Sequence, residues 1–250
     1  MKKINTILAA VGALLMLSVT AANSVEFKAG ISANGMAAYA NAKETIKGTA
    51  GSSTQGTGRT TSEEAVLATS FASIFAEVSS DNMMGLGIGV SYAPEVVDLN
   101  KETRHISSSK DNDAAGTKET AVSGIDTDGG AQVVDAKIND MVSVYLTLPV
   151  GGNGAYIKAG YIQATMVTEE SLATGSKYED VDMTGTTIGG GYEGSLGDMA
   201  FWRAEGSYQM WEDISASGSE SNNGTTDTTK NKIAAEMGSV MGTLSVGMKF

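Results

Sequence analysis

Residues 240–250 read Val-Met-Gly-Thr-Leu-Ser-Val-Gly-Met-Lys-Phe, and their side chains alternate. Val240, Leu244, Val246, Met248 and Phe250 take the even positions. Ser239, Thr243, Ser245, Gly247 and Lys249 take the odd ones, with Met241 as the exception. A period of two sends successive side chains to opposite faces of a strand. One apolar face, one polar face and a terminal aromatic predict the closing strand of a membrane-spanning β-barrel, with lipid outside and a polar lumen inside.

The other end of the chain agrees. Lys2 and Lys3 precede an apolar run from Ile7 to Val19, and small residues follow it, Val19-Thr-Ala21 or Thr20-Ala-Ala22. This pattern predicts a cleaved secretory signal over residues 1–22, with the barrel over 23–250. The run is short for a spanning helix. The chain carries 17 basic and 29 acidic side chains, net −12. Losing Lys2 and Lys3 takes this to −14, which argues against nucleic acid as a partner. There is no cysteine, so no disulfide framework is available. Mean hydropathy near zero suits a barrel, whose lipid-facing residues alternate with polar ones.

Period-two segments recur. Val25 to Tyr39 places Val25, Phe27, Ala29, Ile31 and Ala33 on one face and Glu26, Lys28, Gly30, Ser32 and Asn34 on the other. The second strand, about Ala65 to Val78, is ambiguous: Thr61-x-x-Glu64 could cap a helix over 63–78. The third is Met83 to Ala93, with Leu86, Ile88, Val90 and Tyr92 outward and glycines inward. Val133 to Val150 follows, with Val142, Val144, Leu146 and Leu148 outward. The remaining strands are Ala155 to Val167, Met183 to Ser195, Met199 to Trp211 and Ile233 to Phe250. Connections at 79–82, 151–154 and 195–198 are short; those at 41–62, 95–130, 169–182 and 216–229 are long. Short periplasmic turns and long external loops are the outer-membrane pattern. The expected fold is therefore all-β, a transmembrane antiparallel up-and-down barrel of eight strands. Extra hairpins in 41–62 or 95–130 would make ten. Phe27, Tyr192, Trp202 and Phe250 fall toward the periplasmic interface, and Tyr39, Tyr92, Tyr161 and Tyr208 toward the outer one.

By parity the inner face holds Glu26, Glu77, Glu193 and Glu205 with Lys28, Lys158, Arg203 and Lys249. An eight-stranded barrel is just wide enough for side chains to fill it. Charges confined there must pair, so these eight are expected to form a lumen charge network that plugs the barrel. Glu193 and Arg203 flank one turn and should be partners. An ion-selective constriction would instead need an excess of one sign. Three of the four long connections are acidic: 95–130 has eight acids and four bases, 169–182 has five acids and one base, and 216–229 adds two acids, while 41–62 is net +2. They are read as solvated external loops, or as a surface that meets lipopolysaccharide or a partner through cations.

The stretch Thr187 to Tyr208 includes Tyr192-Glu193, a short turn and Arg203-Ala-Glu205-Gly-Ser-Tyr208. It resembles the final hairpin of the OmpA-type and opacity-type small outer-membrane surface barrels, and Ala155-Tyr-Ile-Lys-Ala-Gly160 looks like their middle strand. The resemblance implies an integral protein of the bacterial outer membrane with lipid and lipopolysaccharide as neighbours. It implies that Phe250 is an assembly signal read by the barrel-insertion machinery. It also implies an external ligand, host surface or phage as partner, and no cofactor. The function expected is a non-enzymatic surface barrel with a plugged polar lumen. Two alternatives stay open, a small-solute channel and an outer-membrane lipid hydrolase. The second rests on His105 and Ser107, with acids such as Glu119 downstream; Ser108 stands where lipid A deacylases carry Asn. The faint calcium-like Asp126-x-Asp128-Gly lacks the remaining ligands.

Overall fold

The computed structural model describes residues 25–46, 59–81, 84–105, 131–171, 179–217 and 232–250. The expected signal segment, 1–22, lies outside them. Nine β-segments follow in order: β1 (Val25–Ile46), β2 (Arg59–Ser80), β3 (Leu86–His105), β4 (Ala131–Pro149), β5 (Ala155–Ser171), β6 (Val181–Ser195), β7 (Ala200–Trp211), β8 (Ile214–Ser217) and β9 (Lys232–Lys249). Each long strand pairs antiparallel with the next, and β1 closes on β9. β8 also pairs with β9 and continues the line of β7 past a break at Glu212 and Asp213. The molecule is thus an eight-stranded closed antiparallel barrel.

Residues 63–78 are strand, not helix. Several connections are shorter than the composition suggested. β1 runs to Ile46 and β2 starts at Arg59, so the connection expected at 41–62 is half strand. β3 continues to His105 through polar sequence assigned above to a loop. Cross-strand hydrogen bonds, not apolar alternation, hold that part: β3 stays paired with β4 as far as His105 and Ala131. β5 and β6 likewise reach to Ser171 and start at Val181.

The register fixes the barrel's shear. Stepping sideways from Lys28 leads through Glu77, Gly89, Tyr145, Gly160, Thr187, Gln209 and Ser239, and returns to β1 at Ala38. The circuit has climbed ten residues, from 28 to 38. Closure of eight strands with such a stagger requires a tilt of about 35–45°. Phe27 and Phe250 exchange both main-chain hydrogen bonds, 3.2 and 2.8 Å, and seal the closing seam. In the hairpin between β4 and β5, Gly151 and Gly154 have φ of 71° and 92°, a conformation that costs glycine little.

The outer wall is apolar where it is most exposed. Ile31, Leu244 and Val246 are 62, 66 and 51 % exposed, and Ile74, Ile157, Ile188 and Val240 join them. Rings cluster at both margins. At the turn end Phe27 meets Phe250 and Tyr192 meets Trp202. At the loop end Tyr39 and Tyr208 share a hydroxyl hydrogen bond of 3.0 Å, and Tyr92 donates to Asp140 at 2.6 Å. Val142 departs from expectation. It has outward parity but is buried, because a bulge between Asn139 and Val142, with Asp140 at φ 54°, turns the strand there.

Candidate functional site

Inward residues at the turn end of the barrel form a charged floor. Arg203 on β7 sits opposite Glu193 on β6 in register, and its Nε donates to Glu193 at 2.8 Å. Its two terminal nitrogens donate to both oxygens of Glu77 at 2.8 and 2.7 Å. Glu77 lies on β2, with β1 and β9 between it and β7. The fork therefore spans the lumen instead of running along its wall. Lys28 completes this half, donating to Glu193 at 2.8 and 3.0 Å and lying 3.1 Å from Glu26. Arg203 and Glu77 are only 3 and 2 % exposed. Their burial is tolerable because the planar guanidinium matches a carboxylate in bidentate geometry.

A second pair stands beside the first. Lys158 on β5 donates to Glu205 on β7 at 2.8 Å, and the Tyr156 hydroxyl donates to the same carboxylate at 2.5 Å. Aromatic faces insulate both. Lys158 Nζ lies 4.0 Å from the centre of the buried Tyr145 ring. The Arg203 guanidinium is 5.1 to 5.4 Å from the rings of Phe201, Phe75 and Tyr156. Such contacts favour a desolvated cation.

Of the eight inner charges marked in the sequence, Lys28, Glu77, Lys158, Glu193, Arg203 and Glu205 come together, three of each sign. Glu26 sits at the rim with its side chain 41 % exposed. Lys249 stands outside the network: it is at the last residue of β9, on the rim, where water can solvate it. The four aromatics were not marked, although Phe75, Tyr145, Tyr156 and Phe201 share inward parity with the charges. That parity was the available signal. Gly89 makes room for Tyr145, since a Cβ there would strike the tyrosine ring. Gly89→Val is expected to lower stability by about 1–3 kcal/mol through overpacking, measured by urea unfolding in detergent micelles.

Above the floor the lumen changes character. A neutral polar layer comes first: Ser32 bonds Ser245 at 2.8 Å, and Asn34 bonds Ser73 and Thr243, each at 2.9 Å. Above that the interior is mostly apolar, with one buried polar pair set into it, Ser239 donating to Gln209 at 2.6 Å. Met36, Ala38, Met141, Ala164 and Met183 join Val96, Val97, Ile138 and Ile214 in one buried cluster, with Phe71, Trp211 and Met241 packed against it. The expectation of a charged lumen thus holds for the turn-end half, and the other half is mostly apolar apart from Gln209 and Ser239. The apolar upper layer closes the barrel by packing, which a parity count of charges does not reveal.

Both oxygens of Glu77 are engaged by Arg203, and Glu193 and Glu205 are held by cations, so no carboxylate here is placed as a general base. Among the described residues no group of His, Cys, Asp and Glu is arranged to hold a metal ion. His105 ends β3, and Ser107, Ser108, Glu119 and Asp126 lie outside the described residues, as do most of the acidic connecting segments.

An apolar belt around a closed barrel with charge inside is the reverse of a soluble barrel and is the construction of an integral outer-membrane protein. No family model and no curated protein matches the chain. Among solved structures it is similar to the outer membrane protein OprG from Pseudomonas aeruginosa, at 14 % identity and a TM-score of 0.44, covering 91 % of this chain and 96 % of that one. It is also similar to Ail, the attachment invasion locus protein of Yersinia pestis, in complex with the heparin analogue sucrose octasulfate, at 11 % identity and 0.38, covering 88 and 99 %. The translocator domain of autotransporter NalP from Neisseria meningitidis matches at 13 % and 0.32, covering 98 and 97 %.

Proposed function

We propose that this chain is a non-enzymatic surface barrel of the bacterial outer membrane, exported by a signal over residues 1–22. The carrying observation is the Arg203–Glu77 fork laid across the lumen, with Glu193 and Lys28 completing it. A solute path needs wettable space along the axis. Here the axis meets a compensated ion network, a hydrogen-bonded neutral layer and a packed apolar layer in turn. The frame is then an anchor, and what the protein does happens at its loop end. There the acidic stretches 95–130 and 169–182 meet lipopolysaccharide through bridging cations, a host surface or a phage. Phe250 is the residue read by the insertion machinery. It is 66 % exposed, with its main chain tied to Phe27.

Liposome swelling tests the closed lumen. Vesicles carrying the refolded mature protein are expected to swell in an arabinose gradient no faster than empty vesicles. Swelling at porin-like rates would replace this reading with a small-solute channel.

A further inference from the structure

The lipid-facing wall is not evenly padded. Val246, Ile31, Ile74 and Tyr92 stand in one register row across β9, β1, β2 and β3. All four share outward parity and form a ridge. In the row above it Leu244 is followed by Ala33 and Ala72, with Pro94 at the β3 end. Ridge and row together line an apolar groove of about 670 Å³. Beyond it Gly242 opposes Gly35, and the wall there is bare. Nothing inside the barrel demands those glycines: a Cβ at either would meet no atom within 4 Å, and neither has a positive φ.

Register sets the depth of this groove in the bilayer. The barrel climbs ten residues over eight strands, so each sideways step from β9 toward β3 rises about 3 Å at a tilt of about 40°. Tyr92 and Pro94 therefore end the groove at the outer aromatic margin, and Val246 ends it about 9 Å deeper, near the middle of the wall. This is the depth of the outer half of an apolar band about 25 Å tall. The Tyr92 ring that walls the upper end is tethered, since its hydroxyl donates to Asp140 at 2.6 Å.

We propose that this groove seats one acyl chain of an outer-leaflet lipid, which enters beside Tyr92 and Pro94 and descends across β2 and β1 to Val246. Depth and shape select this occupant. The connections 47–58 and 106–130 are rich in Gly, Ser, Thr, Lys and Asp, and main chain without hydrogen-bond partners is excluded from hydrocarbon. Two copies in one membrane share one direction across it, so a two-fold axis between them lies along the membrane normal. Each depth then meets its own depth: ridge faces ridge and groove faces groove, which leaves the hollow empty. An alkyl chain is thin, needs no hydrogen bond, and reaches the groove directly from the apolar belt with which it is continuous. The seat requires a wall that faces hydrocarbon, not a closed lumen, so swelling of the vesicles would defeat the surface-barrel reading and leave the seat standing.

The test is native mass spectrometry of the refolded mature protein, released from micelles that contain dimyristoyl phosphatidylethanolamine. Wild type is expected to keep one lipid after the others have dissociated. Ala33→Leu/Ala72→Leu fills the groove at two exposed positions. It should fold, as heat-modifiable mobility verifies, and hold that lipid about tenfold more weakly. Ala159→Leu makes the same change at an exposed outward position of β5, away from the groove, and should keep the lipid as wild type does. The seat is overturned if wild type keeps no lipid, if the groove-filling variant keeps it equally well, or if Ala159→Leu loses it to the same extent. A stable dimer in place of the lipid, abolished by Ala33→Leu/Ala72→Leu, would also overturn it and give the groove to a second copy.

Discussion

Replacing Arg203 with alanine is expected to cost the refolded barrel about 3–5 kcal/mol, because it leaves buried carboxylates without their cation. Glu77 loses both of its charge-assisted bonds while remaining 2 % exposed, and Glu193 loses one of its two cationic partners. The loss should show as a lower urea midpoint with little change in slope. The diagnostic comparison is Arg203→Ala/Glu77→Ala. Removing both partners takes away the stranded charge, so the double variant should be more stable than Arg203→Ala alone. If the two losses simply add, the fork is not a coupled unit. If Arg203→Ala leaves the midpoint unchanged, the floor contributes nothing to barrel stability.

Leu244→Arg is expected to cost about 2–4 kcal/mol in a bilayer, the penalty for arginine on a lipid face near the midplane. Leu244 is 66 % exposed, in the middle of a strand whose neighbours Val240, Val246 and Met248 are also exposed. On a soluble protein such a position would accept arginine with a change within about 0.5 kcal/mol. The measurement is reversible refolding into vesicles, followed by the shift of the folded band on unheated gels. A near-neutral effect would mean that this face does not meet hydrocarbon.

Most of the fold was legible because a barrel writes its two faces into every strand. Parity in 240–250 and 25–34 marked which side chains meet lipid, and the structure keeps that assignment; on β4 it departs at Val142. The bulge that buries Val142 depends on how β4 and β5 pair, and no local pattern announces it. Strand ends were less legible. The polar residues of β3 beyond Ala93 and of β2 before Ala65 stand outside the apolar band, where hydrogen bonding to a neighbour, not alternation, decides the structure. At the site, the Glu193–Arg203 pair could be anticipated because a short turn brings them together. The Glu77 fork could not, since two intervening strands, with their tilt and shear, separate its partners. Nor could the Met-rich upper layer. Met36, Met141 and Met183 fall on inward parity in three unrelated strands and become one cluster only when the barrel closes.

The most direct test of the closed lumen is single-channel recording of the refolded mature protein in a planar bilayer, with folding verified by heat-modifiable mobility. A folded barrel that stays electrically silent is the predicted result. Stable, reproducible openings from the folded form would contradict the plug and make transport the function to explain.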